Sequence, residues 1–167
     1  EVVTGFGRTG SMFGSRGWNV KPDIMSLAKG INSGYVPLGA TMLNSRIEQA
    51  WQRQSPMAGI FHGYTYSGHP LACAAALANL KIVQDEALHE NAGTVGTRLK
   101  AQLAKLMERH EIIGDVRGKG LMIGIELVKD RKTKEPIAPA DPIHRKLTHG
   151  AHQRGAIIRV NAGKIII

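Results

Sequence analysis

Apolar residues along this chain fall into short runs separated by glycine in the first half, and into longer helical repeats beyond residue 70. Residues 23–28 read as a strand, residues 30–34 with Gly30 and Gly34 as a turn, and residues 36–43 as a second strand. Residues 45–54 predict a short helix opened by Asn44 or Ser45. Residues 70–86, rich in Ala and Leu with Pro70 at the first position, predict a strong helix. In the next helix, 91–110, Val95, Leu99, Leu103 and Leu106 share one face at spacings of three and four. Beyond Gly114 the pattern changes. Residues 120–128 predict a strand, 142–154 a helix, and 156–160 with 164–167 a hairpin about Asn161-Ala162-Gly163. Residues 1–3 are apolar enough to end a buried strand, so both chain ends read as cut. A boundary near Glu90 separates an α/β part, 1–90, from a smaller α+β unit, 91–167.

The chain of 167 residues has room for one domain, or for one complete and one partial domain. A hydrophobic content of 43% with 5% aromatics, evenly spread, points to a soluble globular protein. Gly, Asn or Lys interrupts each apolar stretch before membrane-spanning length. The opening Glu-Val-Val contains no signal-peptide pattern. A lone Cys73 cannot close an internal disulfide, which fits a reducing compartment such as the cytoplasm. In its Ala-rich run it reads as a small buried hydrophobe. Lys and Arg number 22 against 13 Asp and Glu, a net charge of +9 that raises nucleic acid or an anionic substrate. The basic residues are scattered, however, and densest only over 129–134, with no aromatic platform for single strands. A solvated surface, part of it facing the rest of a longer protein, is the expectation, with no nucleic-acid or membrane partner.

Gly5-Phe6-Gly7-Arg8-Thr9-Gly10 matches a dinucleotide-binding pattern, but no helix opens inside it and no acidic residue follows at about twenty positions. Arg117-Gly118-Lys119-Gly120 lacks the spacing and hydroxyl of a phosphate loop. Both read as turns. More informative is Pro22-Asp23-Ile24-Met25-Ser26-Leu27-Ala28-Lys29-Gly30, where a lysine ends an apolar strand. A buried ammonium there would have a depressed pKa, as an amine nucleophile needs; read alone, a lysine after a strand is most often a solvated loop residue. In His62-Gly63-Tyr64-Thr65-Tyr66-Ser67-Gly68-His69-Pro70, hydroxyls precede a helix start and suit an anion. The alternative is simple capping by Ser67 or His69.

Taken in order, the G-F-G-R-T-G, K-P-D-I-M-S-L-A-K-G, G-Y-V-P-L-G-A and H-G-Y-T-Y-S-G-H-P segments, continuing through residues 116–127, resemble the class III aminotransferases over essentially the whole chain. The resemblance implies the C-terminal part of a fold-type-I large domain plus most of a smaller domain. It implies pyridoxal 5′-phosphate held by Lys29 as a Schiff base, with the same lysine moving the proton. Thr65 matches the residue that binds the cofactor phosphate of the neighbouring subunit in a homodimer. Val2 matches the residue packed on the pyridine ring. Arg159 resembles the one that grips a substrate carboxylate; read alone, it is equally an exposed strand arginine. No metal is implied. The family motif reads Asp-Glu-Val and this chain begins at the Glu, so the Asp that pairs with the ring nitrogen would immediately precede Glu1. The 167 residues alone are therefore expected to be inactive. The implied reaction moves an amino group from an amine or ω-amino acid to a keto acid such as pyruvate. Rivals are a racemase, aminomutase or decarboxylase of the same fold, and a non-catalytic basic binding module.

Overall fold

The two apolar runs of the first half pair as antiparallel strands, β1 (Ile24–Leu27) and β2 (Ala40–Leu43), with Ile24 opposite Leu43 and Leu27 opposite Ala40. The second strand is half its expected length. Pro37 has no N–H to give a ladder and Gly39 has no side chain to pack, so residues 36–39 stay outside it. The computed structural model describes residues 1–54, 62–161 and 163–167, and it divides into two compact units, Glu1–Asn91 and Ala92–Ile167.

In the first unit residues 1–10 wind through turns into a short helix, α1 (Gly14–Gly17). The expected buried strand end at residues 1–3 is therefore corrected to a turn with Val2 and Val3 exposed. The Gly5 amide closes it by donating to the Glu1 carbonyl at 3.1 Å, which takes the segment out of extended geometry. After β1 a single 3₁₀ turn, Lys29–Ile31, reverses the chain. Helix α2 (Ser45–Gln54) starts at Asn44, whose side chain accepts from the Ile47 amide at 3.1 Å. Helix α3 (Pro70–Asp85) has Pro at its start and buries Ala72, Ala76 and Val83; Cys73 is half-buried.

The second unit packs helix on sheet. Helix α4 (Leu88–Arg109) begins in the first unit and runs into the second, where it covers the strands β3 (Ile113–Lys119), β4 (Met122–Asp130), β6 (Arg159–Asn161) and β7 (Lys164–Ile166). The sheet order is β3-β4-β7-β6, with β5 (Glu135–Pro136) against β4. Helix α5 (Pro142–His152) is started by Asp141, whose carboxylate accepts from the Ile143 amide at 2.9 Å. The core joins Leu103 to Ile113, Ile123, Ile125, Leu127, Ile137 and Ile165. Strand β3 is absent from the sequence reading, because Gly114 and Gly118 break the alternation that marks a strand. Ala162, the middle of the expected hairpin turn, lies outside the described residues.

The buried stripe of α4 also differs from expectation. Val95 and Leu106 are exposed, and Ala92, Gly96 and Leu103 are buried with Leu99 and Met107 beside them. The helix is turned so that its smallest residue, Gly96, meets the β3–β4 turn. A Cβ at Gly96 would lie 2.0 Å from the Gly120 carbonyl oxygen. Small residues carry little hydrophobic signal, so an apolar count rotates the face. Several basic residues act structurally here. Arg131 donates to the carbonyls of Met107, His110 and Ile113 at 2.6, 2.8 and 3.1 Å, closing the C-terminal end of α4. Lys129 pairs with Glu135 at 2.8 Å. No helix among the described residues is long and apolar enough to cross a membrane.

Gly96→Ala should therefore destabilise the protein by about 1–3 kcal/mol or more, since backbone rather than a flexible side chain must move. Gly93→Ala, on the same helix, is the control; chemical denaturation of the two variants checks the difference.

Candidate active site

Lys29 occupies the point where β1 ends and the chain turns, and its φ is +48°. A non-glycine residue there is strained and needs fixing by its neighbours. The turn is closed by the Ile31 amide on the Ala28 carbonyl at 3.2 Å and the Asn32 amide on the Lys29 carbonyl at 3.3 Å. Asn32, 2% exposed, accepts from the Gly34 amide at 3.1 Å and donates to the Val36 carbonyl. From α3, Asn79 donates to the carbonyls of Gly30 and Ile31 at 2.9 and 3.2 Å and accepts from the Ser33 hydroxyl at 2.6 Å. Beneath the turn lies Phe6, so close that a Cβ at Gly30 would meet its ring at 3.1 Å.

The Lys29 side chain is exposed, as the reading of a solvated loop lysine has it, and not the buried ammonium weighed beside it. Strand β1 belongs to a two-stranded ladder in which Leu27 is its one buried residue, so no second layer closes over the turn among the described residues.

The G-F-G-R-T-G segment supports this turn from below. Phe6 and Gly7 amides both donate to the Met12 carbonyl, at 2.7 and 3.3 Å, and Phe6 meets Phe13 edge-on at 5.6 Å. No helix opens inside the motif, as read from the sequence. The Glu1 main-chain nitrogen lies 2.9 Å from the Ser26 carbonyl oxygen, next to β1. Its carboxylate accepts from the Thr4 hydroxyl at 2.5 Å and from the Ser15 and Gly14 amides at 2.6 and 3.0 Å, at the start of α1. Desolvation pushes the Glu1 pKa up, but these hydrogen bonds outweigh it and hold it at about 2.

Thr65 is exposed in the turn leading to α3. The Ser67 hydroxyl accepts from the Tyr64 amide at 2.9 Å, and His69 occupies the cap position without a side-chain bond. Neither residue caps the helix, which corrects that alternative. Among the described residues, no side chain is seen to take up the amide donors of the first turn of α3. Arg159, in the second unit, opens β6 opposite Ile166 and is exposed, with no ion-pair partner among the described residues. No three His, Cys, Asp or Glu side chains converge to hold a metal among the described residues.

The described residues thus offer a primary amine on a braced turn and, apart from it, a helix start whose cap residue makes no side-chain bond. The model of the class III aminotransferase family matches residues 1–167. The chain belongs to the class III aminotransferases. A solved amine transaminase from an uncultivated Pseudomonas species, in a form bound to pyridoxal phosphate, is 54% identical with a TM-score of 0.93; the match covers 100% of this chain and 38% of that one. An (S)-enantioselective ω-transaminase from Thermomicrobium roseum is 46% identical with a TM-score of 0.89, covering 100% of this chain and 37% of its own. The taurine–pyruvate aminotransferase of Bilophila wadsworthia is 45% identical over 95% of this chain and 35% of that protein. The chain thus spans little more than a third of the length of such relatives.

Within this aminotransferase chain, Asn32 and Asn79 brace the Lys29 turn, and the sequence reading missed both. A signal existed for one of them: Asn79 is the lone polar residue between Pro70 and Leu80. Glu1 was read as strand, and its capping contact was likewise unforeseen.

Because the folded Glu1 carboxyl titrates at about 2 and its ordinary value is 4.5, its stabilising effect is complete above pH 4.5 and is lost as pH falls towards 2. Glu1→Gln should lower stability by about 1 kcal/mol at pH 7 and flatten its pH dependence across that window. Thermal melts of both proteins between pH 2 and 7 measure this.

Proposed function

We propose that the chain is the catalytic-lysine segment of a pyridoxal-phosphate-dependent aminotransferase that moves an amino group from an amine or ω-amino acid to a keto acid such as pyruvate. The observation that carries this reading is the Lys29 turn: a primary amine on a left-handed backbone, braced by Asn79 from α3 and Phe6 from below. Residues 1–90 belong to the cofactor-binding large domain and 91–167 to the small domain. The similarity to an ω-transaminase and to a taurine–pyruvate aminotransferase supports amines with the nitrogen away from a carboxylate.

When bound, pyridoxal phosphate supplies a conjugated, electron-withdrawing ring next to the reacting carbon. The residues of this chain do the rest. Lys29 Nζ would hold the cofactor through its aldehyde carbon, and its amine would serve as the base and acid that takes up and returns the proton of the donor carbon. The Thr65 hydroxyl and the uncapped first turn of α3 receive the phosphate, whose charge suits the positive helix end. This pair serves the neighbouring subunit's site, so the working unit is a homodimer. A single cysteine supports a cytoplasmic setting. Val2, exposed at the chain turn, covers one face of the ring. Arg159 clamps the carboxylate of the keto acid through its planar guanidinium.

Two measurements test this. Borohydride reduction of the holoenzyme, followed by peptide mapping, should find the pyridoxyl group on Lys29; its appearance on another lysine overturns the assignment. Arg159→Ala should cut kcat/KM for keto and amino acids by about 30- to 1000-fold while sparing a simple monoamine half-reaction, since a carboxylate contact of this kind is worth on the order of 2–4 kcal/mol. Equal losses for both donor types make Arg159 structural.

A further inference from the structure

We infer that Asn79 is a positioning residue for Lys29: through the carbonyls of Gly30 and Ile31 it holds the left-handed backbone from which the lysine side chain departs. The inference rests on the reading of Lys29 as the cofactor-binding lysine.

Three bonds meet at one amide. Its two N–H donors are spent on Gly30 at 2.9 Å and Ile31 at 3.2 Å, and its oxygen accepts from the Ser33 hydroxyl at 2.6 Å. The orientation is chemically determined, because a flipped amide would set its oxygen against two carbonyl oxygens that have nothing to donate. Asn79 is half-buried on the face of α3 that meets the turn, and no apolar residue could replace these bonds.

The turn needs such a brace. Lys29 at φ +48° and Ser33 at φ +54° are both non-glycine residues in the left-handed region, and they bracket the two carbonyls that Asn79 receives. The turn has two internal amide bonds, at 3.2 and 3.3 Å, and Asn79 adds bonds to Gly30 at 2.9 Å and Ile31 at 3.2 Å. Phe6 closes the opposite side of Gly30, so the peptide is held between a ring and an amide. Release of the amide would let Lys29 relax towards ordinary φ, which redirects its Cα–Cβ bond. The exposed side chain has no bond of its own to restore its aim.

The consequence falls on cofactor capture. In that step the neutral Lys29 amine adds to the aldehyde carbon, the carbonyl oxygen leaves as water, and a C=N bond joins the two. A misdirected amine slows the addition, while the phosphate and ring contacts remain. Misplacement of a reacting group by about 1 Å costs up to roughly 100-fold in rate.

The test uses apo-enzyme prepared from the native protein, mixed with pyridoxal phosphate while the visible absorbance of the lysine–cofactor bond is followed. Equilibrium binding of pyridoxamine phosphate, which carries an amine where the aldehyde was and cannot bond to Lys29, is measured in parallel. Lys29→Ala gives the background. Asn79→Ala, and Asn79→Asp, which keeps the shape and loses both donors, should capture the aldehyde about 10- to 100-fold more slowly with pyridoxamine phosphate affinity within about twofold of the parent. Ser33→Ala, which removes only the hydroxyl orienting the amide, should slow capture less and in the same sense; it carries the test alone if the Asn79 variants do not fold. Capture at the parental rate overturns the inference. So does a parallel loss of capture and of pyridoxamine phosphate binding, which marks a merely structural residue. If the parent protein itself captures no more aldehyde than Lys29→Ala, the reading of Lys29 fails and the inference goes with it.

Discussion

A lysine held in the left-handed region costs on the order of 1–3 kcal/mol, and most of what is ordered in the first unit bears on that single backbone choice at Lys29. The G-F-G turn exists in part to bring Phe6 under Gly30, and it does so at the expense of a second strained residue, since Phe6 itself has φ +60°. Met12 holds that turn by taking two amides on one carbonyl. Asn32 and Asn79 hold the turn with side-chain amides, which both donate to and accept from a loop whose own ladder is missing. Local strain is thus offset by contacts from distant parts of the sequence.

The second unit meets its constraint by different means. Its helix and sheet approach at Gly96 and Gly120 more closely than any side chain permits, and this fixes the rotation of α4 over the core. The hairpin that carries Arg159 is then tied down at its turn. The Gly163 amide donates to His144 Nε2 at 3.0 Å and its carbonyl accepts from the Leu127 amide at 2.6 Å. The ring's other nitrogen, Nδ1, faces the Pro139 carbonyl at 3.0 Å, so the ring joins the hairpin turn to the segment before α5. A short strand with an exposed arginine is in this way held by one helix and by the central strand of the sheet.

Long apolar periods were legible in the sequence, and short irregular ones were not. Helices α3 and α5 begin where Pro70 and Pro142 put them, because proline at a first helical position needs no partner for an N–H it lacks. Strand β3 was hidden by glycines whose packing role shows only when Val128 is found where a Cβ at Gly114 would sit, at 2.7 Å. The face of α4 was misplaced for the same reason. Lys29, Thr65 and Arg159 were singled out through motif order, and the structure sets them at a turn, before a helix and at the start of a strand. Asn32 and Ser33 were not, because they act through hydrogen bonds with main-chain atoms or with a residue 46 positions away, for which no local pattern exists.

Helix α3 joins two functions on one rigid rod: its first turn offers amide donors, and nine residues on it presents the amide that braces the lysine turn. With a rise of about 1.5 Å per residue, the two points stand roughly 13–14 Å apart along the axis, on faces fixed by about 100° of rotation per residue. One residue inserted or deleted between Pro70 and Asn79 would swing the amide through that angle and off the turn altogether. The exposed positions of this stretch can exchange side chains around buried Ala72 and Ala76, yet its length is fixed by the register between Pro70 and Asn79.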